Sequence, residues 1–158
     1  GDDIIYVERT SSGRSSVRVV HLVGARAPLH VTAVGKLYLA EDSKESLKDY
    51  ARRTGLPGAT PTSITSVAAL EKEIDRVRRH GVAYDNEEIE QGLRCVAAPV
   101  RDDTGDMVAG LSVSAPADRY NPEWATLIQQ TADAISAAIG HGKPTGKRAS
   151  TDGAMLRQ

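Results

Sequence analysis

Two segments near the middle of the chain alternate between apolar and small or polar residues with a period of two. Leu93 to Val100 and Met107 to Ser114 both show this pattern, which is typical of β-strands. The sequence Asp-Asp-Thr-Gly at 102–105 lies between them and is typical of a tight turn. The pattern therefore predicts a β-hairpin.

Alternation also assigns the side chains of the two strands to opposite faces. On the first strand the two faces consist of Leu93, Cys95 and Ala97, and of Val96, Ala98 and Val100. On the second strand they consist of Leu111 and Val113, and of Ser112 and Ser114. The two serines either line a polar pocket or face water, because outward polar residues are common in antiparallel sheets.

Apolar residues at helical spacing predict four helices. The predicted ranges are about 31–40, 43–53, 67–80 and 122–139. The predicted N-terminal capping residues are Thr32, Asp42 with Glu45 as a capping box, Ser66, and Asn121 followed by a proline. The predicted buried face of the last helix consists of Trp124, Leu127, Ile128, Ala132, Ile135 and Ile139.

The first thirty residues predict strands rather than helices. Ile4 to Arg9 and Val17 to Val23 are rich in β-branched residues, and residues 24–28 interrupt the pattern before the first helix. The turn-like Gly-Asp-Asp that precedes Ile4 resembles the second half of a hairpin, which predicts a partner strand upstream and a chain that is part of a longer protein. Val82 to Asp85 predicts a further short strand.

Composition narrows the class of protein. A length of 158 residues suits one domain, and the formal net charge of −1 gives no general attraction to nucleic acid or anionic lipid. The single cysteine excludes an internal disulfide and favours a reducing compartment. No apolar run is long enough for a membrane span, and no signal peptide opens the chain. Residues 1–140 are predicted to form the domain. Residues 141–158, rich in Gly, Lys, Arg, Ser and Thr, are predicted to form a mobile tail.

The search for catalytic and metal-binding patterns predicts none. There is no nucleophile elbow, no phosphate loop and no zinc-ligand spacing among the histidines, and the carboxylates at 85–90 do not match a calcium loop. Cys95 is in the middle of an apolar strand, which favours an inert thiol over a nucleophile. His30 precedes a helix and is expected to bind a backbone group. No catalytic residue, metal or cofactor is therefore predicted.

The remaining polar groups favour binding over chemistry. They are the amides at Ala33 and Val34 where the first helix starts, together with Asp85, Cys95 and the serines at 112 and 114. Amide N–H groups and hydroxyls are donors that suit a carboxylate, and an aspartate is an acceptor that suits a hydroxyl. A hydrated helix start remains the plainer alternative for the two amides.

Four motifs carry a resemblance to a known family. PLHVTAVGKLYLA (28–40), RRHGVAYDNEE (78–88), GLRCVAAPVRD (92–102) and GLSVSAPADR (110–119) resemble the effector-binding domain of the isocitrate lyase regulator (IclR) family of bacterial transcription regulators. The resemblance extends from about Ile4 to Ile139. It implies an α+β, GAF-like fold with a curved antiparallel sheet flanked by helices. It also implies a cytoplasmic dimer or tetramer that binds operator DNA through an upstream winged helix-turn-helix domain, absent from this chain.

The resemblance also implies an effector pocket. The matching positions are Ala33, Val34, Asp85, Leu93, Cys95, Ser112 and Ser114, with Val19 and Ala27 as apolar wall residues. Members that bind glyoxylate-like or pyruvate-like acids often have Gly-Ala where this chain has Ala33-Val34, so the bulk of Val34 disfavours the smallest keto acids. The predicted function is that of a domain that senses a small organic acid. The domain is predicted not to be an enzyme. Two alternatives are an oligomerisation module with a vestigial pocket and a Cys- or Ser-dependent hydrolase on the same fold.

Overall fold

A computed structural model of the chain describes residues 1–10 and 23–142. The described residues form an α+β fold, as predicted. The strands are β1 Asp3–Ile5, β2 Arg26–Pro28, β3 Ala83–Asn86, β4 Leu93–Arg101 and β5 Met107–Pro116. The helices are α1 Ala33–Glu41, α2 Lys44–Thr54, α3 Val67–His80 and α4 Trp124–Ala138, with short 3-10 turns at Leu29–Val31 and Ala117–Arg119.

The strands of the described residues form two antiparallel sheets. β1 pairs with β2, and β3, β4 and β5 form a three-stranded sheet with β4 in the centre. The predicted hairpin is β4–β5, in which Cys95 pairs with Ser114 and Ala97 with Ser112. Its turn is closed by the side chain of Asp102, which accepts a hydrogen bond from Thr104 N at 2.9 Å.

The three-stranded sheet packs on both of its faces. One face, with Val96, Ala98 and Val100, forms a cluster with Ile128 and Ala132 of α4. The opposite face packs against α1 and α3 through a second cluster that contains Ala33, Leu37, Val77, Ala83 and Ala97. Alternation along β4 therefore predicted the two faces correctly. The face toward α1 is also the one that carries Cys95.

The N-terminal part of the domain differs from the prediction. β1 ends at Ile5 rather than at Arg9, although the ladder to the second strand continues through a hydrogen bond from Tyr6 N to Ala25 O at 3.1 Å. The interruption predicted at 24–28 contains the short strand β2. Pro28 is tolerated there because it ends a strand whose partner, among the described residues, is β1 alone. The predicted strand at 17–23 lies almost entirely outside the described residues.

Two helix starts also differ. Ser43, not Asp42, caps α2, because the Ser43 side chain accepts a hydrogen bond from Ser46 N, while Asp42 ends α1. α4 begins at Trp124 rather than 122, and Asn121 instead binds Glu123 N through its side chain at 2.9 Å. Ser66 caps α3 and Gly81 follows it in the left-handed conformation, both as predicted.

The predicted buried face of α4 is partly wrong. Ile128 and Ala132 are buried, but Leu127 is 60% exposed, Ile135 38% and Ile139 50%. Leu127 lies about 140° around the helix from Ala132, so the two side chains cannot contact the same sheet face. Ser136 takes the third buried position, where its hydroxyl accepts a hydrogen bond from Arg101 N at 2.9 Å.

The C-terminal end of the described chain is a turn at Gly140–Gly142 that follows α4. Residues 143–158 lie outside the described residues, so the mobile tail predicted for 141–158 stays a prediction. Across residues 1–10 and 23–142, no helix has both the length and the apolar character needed to cross a bilayer.

Candidate functional site

At the start of α1, the backbone of Gly35 lies very close to the backbone of Leu29. Thr32 caps the helix by accepting a hydrogen bond from Gly35 N at 3.2 Å and donates its hydroxyl to Pro28 O at 2.9 Å. A Cβ at Gly35 would collide with the backbone of Leu29, so glycine is required there. The amides of Ala33 and Val34 precede the capped one and have no acceptor within the helix.

Three polar side chains form a row across the sheet face that lies toward α1. Asp85, Cys95 and Ser114 occupy paired positions on β3, β4 and β5. The Cys95 thiol lies 3.7 Å from Asp85 Oδ2, to which it donates, and 3.0 Å from Ser114 Oγ. Asp85 is 1% exposed, whereas the two serines of β5 are exposed. The sequence places these residues up to 29 positions apart, and the sheet register brings them together.

Burial sets the protonation states in this row. Burial raises the pKa of Asp85 to about 6, although the Glu88 backbone N–H donates to its Oδ1 at 2.7 Å and opposes the shift. Burial also raises the pKa of Cys95 to about 12, and the nearby charge of Asp85 adds to this. A thiol with this pKa stays protonated at neutral pH. The row therefore offers hydrogen bonds rather than a thiolate nucleophile.

Tyr6 belongs to the same neighbourhood and was not predicted as a site residue. Burial raises its pKa to about 12, with further contributions from Cys95 and Asp85. Its ring packs against the core cluster that contains Ile4 and Ala27. Because it follows Ile4 by two positions, strand alternation is the signal that could have placed it on the inner face.

A buried ion pair between Lys36 and Glu88 lies next to the row and was not predicted from the sequence. Lys36 of α1 is 0% exposed and donates to Glu88 Oε1 at 2.6 Å and to Tyr84 O at 2.8 Å. Its charge lowers the pKa of Asp85 and thereby opposes the effect of burial. Burial raises the pKa of Glu88 as well, against the opposing influence of Lys36.

The segment that carries Glu88 is fixed by a loop. Hydroxyls of Thr60 and Thr62 donate to Glu87 O at 2.7 Å, and Ser63 donates to Glu88 O at 2.6 Å. Glu87 itself has a φ of +62°, a backbone conformation that non-glycine residues rarely adopt. These bonds hold the turn after β3, and with it the amide that binds Asp85.

Beside the row is an open groove of about 870 Å³ between residues 1–8, α1 and β5. Val34 and Ser112 line it, whereas Asp85, Cys95 and Ser114 do not. Val34 packs closely on the backbone of Gly110, where a Cβ would come within 2.5 Å of Val34 Cγ1. Among the described lining residues there is no Lys or Arg, and the side-chain carboxylates are those of Asp3, Glu8, Glu41, Asp42 and Asp106.

The structure gives each predicted site residue a place, apart from Val19, which lies outside the described residues. Ala33 is buried in the cluster that Val34 and Cys95 also contact. Leu93 is buried and lies two positions before Cys95, on the same face of β4. Ala27 is buried in β2, in the cluster on which Val34 and Tyr6 pack. No group of three or more potential metal ligands occurs in the described part of the chain.

His30 behaves as predicted. Its Nε2 lies 3.0 Å from Pro57 O and its Nδ1 lies 2.8 Å from the Tyr50 hydroxyl. A carbonyl only accepts, so Nε2 carries the proton and Nδ1 accepts from Tyr50. Burial lowers the pKa of His30, which keeps the ring neutral. The histidine thus binds a backbone carbonyl, and among the described residues its ring forms no hydrogen bond with Asp85, Cys95 or Ser114.

A family model described as bacterial transcriptional regulator IclR C-terminal matches residues 1–137. The chain belongs to the IclR family. The match confirms the resemblance that the four motifs carried, and it identifies the described domain as an IclR C-terminal domain.

Similar proteins agree with this assignment. The chain is 37% identical over 144 residues to the HTH-type transcriptional regulator KdgR of Escherichia coli, covering 89% of this chain and 54% of that protein. It is 39% identical over 131 residues to the HTH-type transcriptional repressor AllR of Klebsiella pneumoniae, covering 80% of this chain and 48% of that protein. The chain thus spans about half the length of these curated relatives.

Solved structures confirm the GAF-like α+β class. The crystal structure of the C-terminal domain of E. coli KdgR matches with a TM-score of 0.76 and 36% identity, over 89% of this chain and 82% of that one. A double mutant of the inducer-binding domain of PobR from Acinetobacter, in complex with 3-hydroxybenzoic acid, matches with a TM-score of 0.75 and 26% identity, over 85% of this chain and 82% of that one.

Proposed function

We propose that this domain is the ligand-sensing part of a DNA-binding transcription regulator and that its effector is a small organic acid. The observation that carries the proposal is the row formed by Asp85, Cys95 and Ser114 beside the start of α1. It combines uncharged donors with one buried carboxyl on a single sheet face, and family membership supplies the context of a regulator.

The chemistry of the row favours an acid that also carries a hydroxyl or hydrated carbonyl. The acid's carboxylate accepts hydrogen bonds from the Ala33 and Val34 amides and from the Ser112 and Ser114 hydroxyls. Asp85 and Cys95 bind the remaining polar atom. The described lining of the groove contains five carboxylates and no Lys or Arg, so the proposed acid is bound by the uncharged donors at the row and at the start of α1 rather than by the charged side chains of the groove. The PobR domain bound to 3-hydroxybenzoic acid, a hydroxylated acid, is a related precedent.

Apolar side chains form the wall of the same pocket. Leu93 and Ala27 are both buried, and together with Val19 they are the proposed wall residues. Val34 narrows the groove because it already fills the space above Gly110. Members of the family that bind glyoxylate-like or pyruvate-like acids often have Gly-Ala where this chain has Ala33-Val34, so the bulk of Val34 disfavours those acids as the effector.

The proposed signal passes through a homo-oligomer, a dimer or tetramer, to an upstream winged helix-turn-helix domain that binds operator DNA in the cytoplasm. An effector shifts such an equilibrium only by its difference in affinity for the two states, and a coupling of about 1–3 kcal/mol is usual. About half of each relative named as an HTH-type regulator lies outside the part that matches this chain, which leaves room for such a domain.

We propose further that the domain is not an enzyme. A cysteine hydrolase needs a thiol whose pKa is lowered by a partner base, whereas burial raises the pKa of Cys95 to about 12. Its described polar neighbours are a carboxyl and a hydroxyl, neither of which is a histidine. The curated relatives are named as regulators or repressors of transcription.

The test is a thermal-shift screen of the domain against keto acids, dicarboxylates, sugar acids and benzoates. A ligand at about 100 times its Kd adds roughly 2.7 kcal/mol to the free energy of unfolding, which raises Tm by several degrees. For any acid that stabilises the domain, Asp85→Ala and Ser114→Ala should weaken binding by at least about 10-fold, while Thr131→Ala and Asp133→Ala on exposed positions of α4 should not.

Two results contradict the proposal. If both Asp85→Ala and Ser114→Ala bind the acid with unchanged affinity, the effector does not bind at the row. The absence of a shift with every acid in the panel would favour an oligomerisation module whose pocket is vestigial.

A further inference from the structure

A second cleft lies between α3, the loop at 60–65 and the segment at 86–88. Its volume is about 550 Å³, within the range of small-molecule sites in proteins. None of the residues that line it lines the groove beside α1, and the row of Asp85, Cys95 and Ser114 does not line it either. It is therefore a separate cavity, although the backbone N–H of Glu88, one of its lining residues, binds Asp85.

Cationic side chains form one wall of this cleft. Lys72, Arg76 and Arg79 are spaced four and three residues apart, which places them on one face of α3. Arg76 binds Glu73 with two hydrogen bonds, at 2.9 and 2.8 Å, and its guanidinium lies 4.9 Å from the centre of the Tyr84 ring. Lys72 and Arg79 have no ion-pair partner among the described residues, so their charges are available to a ligand.

The opposite wall contains a buried carboxylate with one unused oxygen. Glu88 is 5% exposed, and its Oε1 accepts from Lys36. Its Oε2 is also buried and has no hydrogen-bond partner within the described structure. Because buried polar atoms in proteins are nearly always hydrogen-bonded, we expect Oε2 to accept from a donor that the described residues do not supply. Hydroxyls of the loop bind the backbone carbonyls of Glu87 and Glu88 and so fix the main chain that carries this carboxylate.

We propose that this cleft is a second ligand site, and that its ligand is a small phosphate monoester with a free hydroxyl. Among the described residues that line the cleft, Lys72, Arg76 and Arg79 outnumber Glu73 and Glu88 by one charge. The buried Lys36, which is not part of the lining, adds a further positive charge next to Glu88. A phosphate monoester carries a charge of about −1.5 to −2 at neutral pH, and guanidinium groups bind phosphate well. The ligand's hydroxyl supplies the donor that Glu88 Oε2 lacks.

Calorimetric titration with glycerol 3-phosphate as the probe tests this proposal, with inorganic phosphate and glycerol as comparison ligands. The expected Kd for glycerol 3-phosphate is in the millimolar range or below, with inorganic phosphate weaker and glycerol not binding. Lys72→Ala/Arg79→Ala removes two exposed side chains and should weaken binding by at least about 10-fold. The matched control, Lys44→Ala/Arg52→Ala, removes two exposed cations of α2 outside the cleft and should bind as the wild type does.

Three results overturn the proposal. One is the absence of binding at about 10 mM glycerol 3-phosphate, ten times a millimolar Kd. A second is equal affinity of the wild type and the Lys72→Ala/Arg79→Ala variant. A third is equal affinity for inorganic phosphate and glycerol 3-phosphate, which would remove the role of the ligand's hydroxyl at Glu88.

Discussion

Lys36 Nζ lies 2.6 Å from Glu88 Oε1 in the interior of the domain, although the two residues are 52 positions apart in sequence. The pair joins α1 to the turn after β3, and the same turn supplies the N–H group that binds Asp85. A buried ion pair contributes little net stability by itself, because both charges are removed from water. Removal of one of the two charged side chains, however, leaves the other charge buried and unpaired.

Lys36→Met should therefore lower the free energy of unfolding by about 3–5 kcal/mol, because Glu88 is left buried without its cation. Urea denaturation measures this change. The double variant Lys36→Met/Glu88→Leu should recover much of the loss. Lys48→Met is the matched control: Lys48 forms an exposed pair with Glu71 at 3.8 Å, and its loss should cost at most about 1 kcal/mol. A Lys36→Met loss as small as this control would contradict the role of the pair.

Asp85 gives the domain a pH dependence of known sign. Its pKa is about 6 in the folded chain against the ordinary 3.8, so the folded state holds the proton more tightly. The stabilisation is fully present below pH 3.8 and is lost as pH rises through about 6, by about 3 kcal/mol in total. Asp85→Asn does not titrate and keeps an acceptor for Glu88 N.

Asp85→Asn should consequently be more stable than the wild type at pH 8, by up to about 3 kcal/mol, and equally stable near pH 4. The measurement is the difference in free energy of unfolding between the two proteins from pH 4 to pH 8. A constant difference across this range would show that Asp85 is not protonated in the folded state at pH 5.

Local signals predicted the β4–β5 hairpin, the α3 caps and the two faces of β4 because each depends on residues close in sequence. The buried Lys36–Glu88 pair had no such signal, since a lysine within a helix is usually exposed. Asp85, Cys95 and Ser114 were selected as polar groups that no catalytic or metal-binding pattern explained, and the family resemblance then matched them to an effector pocket. Their mutual contacts could not be predicted, because they depend on the register of the sheet. Leu127 was misplaced because apolar spacing marks an arc wider than the sheet can cover.

His30 should act on stability with the opposite sign to Asp85. Burial lowers its pKa below 6.5, so its contribution is present above that pH and is lost as pH falls toward the folded pKa. The pH dependence of the free energy of unfolding of the wild type contains the contributions of both Asp85 and His30. A variant at His30 is needed to separate them. His30→Gln should lose stability relative to the wild type by less at pH 5.5 than at pH 7.5, as measured by urea denaturation at each pH. A difference independent of pH would contradict this sign.

The Tyr50 hydroxyl is the group that holds the neutral His30 ring. It donates to Nδ1 at 2.8 Å, and the whole tyrosine is 2% exposed. Tyr50→Phe leaves a buried acceptor without its donor and should cost about 1–3 kcal/mol in the free energy of unfolding. Tyr38→Phe, at a less buried tyrosine of α1, is the comparison and should cost less. Equal losses would show that the bond to His30 is unimportant.

Val34 and Gly110 are predicted to be energetically coupled because they share one space. A Cβ on Gly110 would approach Val34 Cγ1 to 2.5 Å, which forces the valine or β5 to move. Gly110→Ala should therefore lower the free energy of unfolding by about 1–3 kcal/mol, as overpacking does. Val34→Ala removes the two obstructing methyl groups, so Gly110→Ala should cost clearly less in that background than in the wild type. A double-mutant cycle by urea denaturation measures the coupling. Additive losses would mean that the strand relaxes away from α1 and that Val34 does not set the width of the groove.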